Sequence, residues 1–317
     1  MSSFDKEKII STNLFTQITK RRLQNPKYSL TVASKRERRE GFVQTKNLNI
    51  VAADHPARGS LKAGNDPLAM ADRHDLLARL TQILQSEWVD GVLGTMDILE
   101  ELLILHGLKS EQGNGFLDNK LLIVSLNRGG LPGSAWELDD PITGTNADTC
   151  EQYGIDAAKL LLRVNFGDKN SLKTIQYCAG GIRDMNRINR PIFVEPLPVE
   201  PSEGGYKVVS DPDKLIQLIT VSSALGDSSR NVWLKIPFTE QFNRVVASTT
   251  LPTVILGGGK SRSKEAFLGN IQKALDTGLQ VRGTMIGRNM LYPKDSEPLD
   301  MAESIGKVVH GNKVPAL

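Results

Sequence analysis

The feature that most constrains this chain is an alternation. Eight short runs of β-branched or apolar residues are separated by longer stretches whose apolar residues recur at three- and four-residue steps. The runs are NIVAAD (49–54), GVLGT (91–95), LLIVSL (121–126), LLLRVNF (160–166), IFVEPL (192–197), VWLKIPF (232–238), TVILGG (253–258) and VRGTMIG (281–287). Stretches such as DRHDLLARLTQILQ, DPDKLIQLITVSSAL and SKEAFLGNIQKALDTG have the period of helices packed on one face. Asp211 before Pro212 and Ser263 before Glu265 are helix-start chemistry, and Gly278 marks a helix end. Strict β–α alternation implies a parallel sheet, and eight units suit a closed (β/α)8 barrel better than an open doubly wound sheet. The first strand also lacks the G-x-G-x-x-G turn of a dinucleotide-binding sheet. The expected organisation is an N-terminal helical, basic extension over residues 1–45 and a barrel domain over 46–317.

A chain of 317 residues, 39 % apolar and 24 % charged, can build that barrel as one domain. Its two cysteines, Cys150 and Cys178, form no CxxC pair, which argues against a disulfide framework and suits a reducing compartment. The first residues lack the apolar core of a secretory leader and no window approaches a membrane span. The expectation is therefore a soluble, cytoplasmic protein with no membrane partner. Residues 1–40 hold ten Lys/Arg against four Asp/Glu, and the basic cluster includes Lys20, Arg21, Arg22, Lys35, Arg36, Arg38 and Arg39. No aromatic interleaving or nucleic-acid motif accompanies it, so it reads as a helical extension across the barrel's bottom or as a subunit contact in a homo-oligomer, with no nucleic-acid partner.

Barrel interiors are packed cores, so charge near the C-terminal ends of strands points to a site. Asp54 ends the first run, Asn127 follows the third, and Glu195 and Lys235 interrupt the fifth and sixth. Lys159 and Arg163, four residues apart, share a face of the fourth strand. In VWLKIPF, Leu234 and Ile236 should face the helices and Lys235 the barrel interior. Burial and nearby positive charge lower a lysine's pKa, and a neutral amine can attack a carbonyl to give an iminium electron sink. The bland alternative is a static Lys235–Glu195 ion pair. Glu195 could shuttle protons, with Asp54 as a second proton-transfer candidate and Arg58 on the same loop as a substrate-binding group. LGGGKSRS and GTMIGRN suggest a phosphate grip after the seventh and eighth strands, made by Gly257, Gly258, Gly259, Gly287 and Arg288. A P-loop is excluded, because Val254 stands where that motif needs its first glycine. The four histidines, His55, His74, His106 and His310, have no metal-ligand spacing, so no metal site is expected.

These segments together resemble the class I aldolase superfamily that includes tagatose-1,6-bisphosphate aldolase and archaeal-type fructose-bisphosphate aldolases. AADHPARGS is similar to the first-strand element of those enzymes, NRGGL to the loop after their third strand, FVEPLPV to their strand-5 glutamate segment, WLKIPF to the strand carrying the Schiff-base lysine, and LGGGKS with GTMIGRN to their phosphate-binding pair. The resemblance implies Lys235 as nucleophile, Glu195 as acid/base, and Asp54 and Lys159 as supporting groups. It also implies Arg288 and the glycines on phosphate; Arg58, Asn127 and Arg163 are expected as substrate contacts from their places near strand ends, and no cofactor is expected. The chain departs from the pattern in inserting His-Pro-Ala between Asp54 and Arg58, and in placing Arg163 and Asn165 where relatives tend to carry aromatics. The pattern also resembles a bacterial branch associated with inositol breakdown, whose substrate would be 6-phospho-5-dehydro-2-deoxygluconate, cleaved to dihydroxyacetone phosphate and malonate semialdehyde. Two other readings stay open: a deoxyribose-phosphate or ketose-bisphosphate aldolase on the same barrel, and an inactive barrel acting as a binding protein.

Overall fold

The computed structural model describes residues 4–42, 47–258 and 263–311. Among the described residues, nine strands form one sheet: β1 (Leu48–Ala52), β2 (Gly91–Gly94), β3 (Leu121–Ser125), β4 (Ala157–Val164), β5 (Ile192–Ser202), β6 (Gly205–Val208), β7 (Val232–Pro237), β8 (Thr253–Leu256) and β9 (Val281–Ile286). Eight of them pair in parallel in the order β4-β3-β2-β1-β9-β8-β7-β5, and β4 pairs again with β5, which closes the barrel. The helices are α1 (Lys6–Ile9), α2 (Thr12–Gln24), α3 (Tyr28–Lys35), α4 (Arg73–Leu84), α5 (Met96–Ser110), α6 (Ala147–Gln152), α7 (Asn170–Arg187), α8 (Pro212–Ser223), α9 (Phe242–Ala247), α10 (Lys264–Leu275), α11 (Arg288–Leu291) and α12 (Pro298–Gly311). No helix among the described residues is long and apolar enough to cross a membrane.

Strand parity sorts the core into two clusters. Leu48, Ile50, Leu93, Leu121, Ile123, Phe193, Val254 and Met285 fill the barrel interior, while Val51, Val92, Leu122, Leu234 and Ile236 belong to the larger layer between strands and helices. The asymmetry lies along the barrel axis. At the N-terminal end the interior is closed by rings: Phe42 packs edge-on to Trp233 with centroids 5.8 Å apart, and Phe193 lies 5.5 Å from Trp233. Above this apolar floor the inward positions turn polar.

The helix starts that the sequence marks are capped as expected. The Asp211 carboxylate accepts from the N–H groups of Asp213 and Lys214, and the Ser263 hydroxyl from that of Ala266. The fourth strand starts three residues before the expected run, at Ala157, so Lys159 lies inside it. The fifth is longer than expected: after its last pairing with β4, at Pro198, it leaves the barrel and folds back antiparallel with β6. Three prolines, at 196, 198 and 201, hide that strand from a propensity reading.

The N-terminal helices pack on the barrel's flank, α1 against α4 and both α2 and α3 against α5. The basic run beyond them reaches the bottom mouth. Arg36 and Arg38 pair with Asp156, just before β4, at 3.2 and 3.0 Å, and Arg39 pairs with Asp90, just before β2, at 2.8 Å. Arg21 and Arg22 pair with Glu111 and Glu100 on or just beyond α5. Much of the cluster is thus spent within the chain. The expected boundary at 45/46 lies outside the described residues.

Candidate functional site

Polar inward side chains of the neighbouring strands β4, β5 and β7 meet a carboxylate from across the barrel, beyond β1, at the C-terminal mouth. Lys159 on β4, Glu195 on β5 and Lys235 on β7 are each at most 8 % exposed, and Asp54, two residues beyond β1, is 2 % exposed. Lys235 Nζ lies 3.2 Å from one oxygen of Glu195, and Lys159 Nζ lies 2.5 Å from the other. Lys159 Nζ also donates to Asp54 Oδ2 at 3.1 Å, and that same oxygen takes an ion pair from Arg128. The result is an alternating chain: Arg128, Asp54, Lys159, Glu195, Lys235. Three cations face two anions across residues up to 181 positions apart, and barrel closure alone makes them neighbours.

Burial raises the cost of charge on every member, but the partners decide the outcome. Burial works against ionisation of Glu195, yet Lys159 and Lys235 outweigh it and hold the carboxyl far below the usual carboxylate range. Both lysines lie below the ordinary lysine value, chiefly through burial, with the positive charge of Arg128 adding to it. His55, next to Asp54, is held neutral: burial and the charges of Arg288 and Lys235 take it down to about 3. Its Nδ1 is buried with no hydrogen-bond partner, 3.7 Å from Asp54 Oδ1.

The turns after β8 and β9 adjoin each other on one side of the mouth. The Asn289 side-chain amide donates to the Gly257 carbonyl at 2.8 Å and ties the two turns together. Gly258 has φ +62° with open space where a side chain would stand, so its backbone is accessible. Gly287 is packed differently. A Cβ there would meet His55 Cε1 at 2.4 Å, so His55 itself requires a glycine at this position. Arg288 is exposed, and its guanidinium donates to the Lys62 carbonyl at 3.3 Å. Gly259 lies outside the described residues.

The structure brings Lys235, Glu195, Lys159 and Asp54 together, but puts three of the expected substrate contacts to other use. The Asn127 amide gives its Nδ2 to the Leu161 carbonyl at 2.6 Å and takes the Leu161 N–H at 2.7 Å, so it splices β3 to β4. Arg58 pairs with Asp140 at 2.6 Å and donates to the Gly130 carbonyl. Arg163 pairs with Glu137, and also donates to the carbonyls of Gly130 at 3.1 Å and Glu137 at 2.7 Å. Arg58 and Arg163 thus hold the long segment after β3. Arg128, Glu137 and Asp140 escaped the sequence reading. Arg128 stands inside the quoted NRGGL segment, and its signal was a charged residue directly after Asn127 at a strand end.

A family model described as Cgl0159-like matches residues 46–307, and the chain belongs to that family. The crystal structure of Cgl0159 from Corynebacterium glutamicum is 35 % identical, covers 96 % of this chain and 99 % of its own, and superposes with a TM-score of 0.89. An archaeal fructose 1,6-bisphosphate aldolase shares the fold, with 21 % identity, 86 % of this chain and 96 % of its own covered, and a TM-score of 0.60. A curated relative from Saccharolobus solfataricus, named an uncharacterised aldolase, is 29 % identical over 165 residues, or 50 % of this chain. The match spans 56 % of that relative, so the chain covers little more than half its length. These matches bear out the relationship to the class I aldolase superfamily read from the motifs.

Proposed function

We propose that this protein is a class I aldolase that forms a Schiff base through Lys235. The observation that carries the reading is the shared carboxylate of Glu195. With three cations and two anions, the buried chain becomes neutral when one amine loses its proton. Lys159 touches two carboxylates at 3.1 and 2.5 Å, whereas Lys235 touches one at 3.2 Å. Lys235 therefore has less Coulomb stabilisation to give up, and Glu195 stays compensated by Lys159 when it does.

The neutral amine of Lys235 adds to the substrate carbonyl, and the carbinolamine loses water as a proton reaches its hydroxyl from the Lys159–Glu195 pair. The iminium then accepts the electron pair of the bond between its α and β carbons, giving an enamine, while Asp54 takes the proton of the hydroxyl on the departing β carbon. That hydroxyl carbon leaves as an aldehyde. Protonation of the enamine and hydrolysis release the second product and return Lys235. The substrate class is a phosphorylated ketose or keto sugar acid, with phosphate at the Gly257, Gly258, Gly287 and Arg288 turns. The specific candidate is 6-phospho-5-dehydro-2-deoxygluconate, giving dihydroxyacetone phosphate and malonate semialdehyde. The relative named an aldolase supports the class of reaction. The protein works in the cytoplasm as a homo-oligomer.

The test is borohydride trapping with dihydroxyacetone phosphate followed by peptide mass mapping. The expected result is a reduced adduct on the peptide carrying Lys235. An adduct on Lys159, or none with any ketose phosphate, would overturn the assignment.

A further inference from the structure

The segment after β3 is clamped at one peptide. Two buried guanidiniums, Arg58 from the turn after β1 and Arg163 from the end of β4, both donate to the Gly130 carbonyl, while the Gly130 N–H donates to Asp140 Oδ1 at 3.0 Å. Asp140 is itself paired with Arg58, and its own N–H donates to Thr174 on α7 at 3.0 Å. Gly130 has no spare volume: a Cβ would meet the Glu137 carbonyl at 2.5 Å and Asp140 Cβ at 2.8 Å. Two residues before this fixed peptide stands Arg128, 8 % exposed, on Asp54. Arg58 and Arg163 have their own carboxylates, so neither is free to take a substrate anion without releasing the clamp.

We propose that Arg128 sets the charge balance of the Schiff-base site, and that Arg58 and Arg163 are positioning residues that act through it by clamping Gly130. This rests on the aldolase reading and assigns these arginines a role other than substrate contact. Six charged groups face Arg128: Asp54 beyond β1, Lys159 and Arg163 on β4, Glu195 on β5, Lys235 on β7 and Asp140 in its own segment. Its positive charge lowers the pKa of both site lysines. Displacing Arg128 therefore lets Lys235 keep its proton to higher pH, and the amine becomes a weaker nucleophile at neutrality. Asp54 also loses a partner and draws Lys159 away from Glu195.

A double-mutant cycle tests this on the full chain, with Arg128→Gln, Arg58→Gln, Arg163→Gln and the pairs Arg58→Gln/Arg128→Gln and Arg163→Gln/Arg128→Gln. The readouts are borohydride trapping rate against pH and steady-state kcat and KM, with melting temperature measured alongside. Arg128→Gln is expected to slow trapping at neutral pH on the order of a hundredfold, as misplacement of a site group does, and to move the acid limb of the trapping profile to higher pH. Each double variant should lie within about twofold of Arg128→Gln alone, because residues acting through one partner are not additive. Arg58→Lys should restore only part of the rate, since one ammonium cannot replace both guanidinium contacts, to Asp140 and to the Gly130 carbonyl. Fully additive losses, carried in KM with no shift of the pH profile, would overturn the proposal and return Arg58 and Arg163 to substrate binding. Trapping on Lys235 in the unmodified protein is the control: its absence removes the aldolase reading, whereas additivity with trapping intact removes only this one.

Discussion

At the N-terminal mouth, Arg36 and Arg38 grip Asp156, while Arg39 and His310 grip Asp90, and each carboxylate also accepts a backbone N–H: Asp156 from Leu122 at 2.8 Å and Asp90 from Asn49 at 2.7 Å. At the C-terminal mouth of the same barrel, Asp54 and Glu195 draw their contacts from the side chains of Arg128, Lys159 and Lys235. Buried charge costs free energy in both places. At the bottom it is bonded to strand starts, so it ties β1 to β2 and β3 to β4 and has little freedom to change. At the top it is bonded to other charges, so a proton can leave one member while the rest stay compensated. Buried atoms without a hydrogen-bond partner occur at both ends, His55 Nδ1 and Arg128 Nε at the top and Arg36 Nε at the bottom, so the contrast lies in the partners of the carboxylates. The lower end serves the fold and the upper end serves the chemistry.

Three substitutions would break or sharpen that contrast. The largest effect belongs to the top. Lys235→Met should lower turnover on the order of a thousandfold or more and abolish trapping, while Glu195 stays paired to Lys159 and the melting temperature holds or rises. A large loss of stability with partial activity would mean that the top is structural after all. Next is Asp156→Asn at the bottom. It leaves the buried Arg36 without its carboxylate and should cost about 3 kcal/mol in urea unfolding, with turnover per folded molecule unchanged. A kinetic defect at full stability would contradict the division.

The smallest effect is a slope. Folded His55 stays neutral down to about 3, whereas in the unfolded chain it takes a proton near its ordinary 6.5. Between those values the unfolded state binds more protons, so stability falls as pH drops through the window. His55→Gln should flatten that part of the stability profile measured by urea unfolding at several pH values. An unchanged slope would show that His55 charges as readily in the fold as out of it.

The barrel and its central lysine were legible because both depend on local periodicity. A period of two puts Lys235 on the opposite face from Leu234 and Ile236, and eight alternations imply closure whatever the loops do. Asp54, Lys159 and Glu195 were legible for the same reason, since each sits at an inward position near a strand end. Glycine turns after β8 and β9 were visible too, although Gly287 is demanded as much by the ring of His55 as by any anion. The hairpin of β5 and β6 was hidden by prolines whose tolerance at an edge depends on where the strand leaves the barrel.

By itself, then, the sequence determined which residues point inward and at which end of the barrel, because side-chain direction follows from backbone period. Only the tertiary structure decided how the charges are partnered. Arg58, Arg163 and Asn127 look like site residues from their positions, yet they hold Gly130, Glu137 and the backbone of Leu161. Arg128 looks like a loop residue, yet it ends the charge chain on Asp54. Ion pairs such as Lys159 with Asp54 or Lys235 with Glu195 join residues 105 and 40 positions apart. Their formation depends on the registers at which β5 meets β4 and β7 and on closure of the barrel, and no local pattern encodes those.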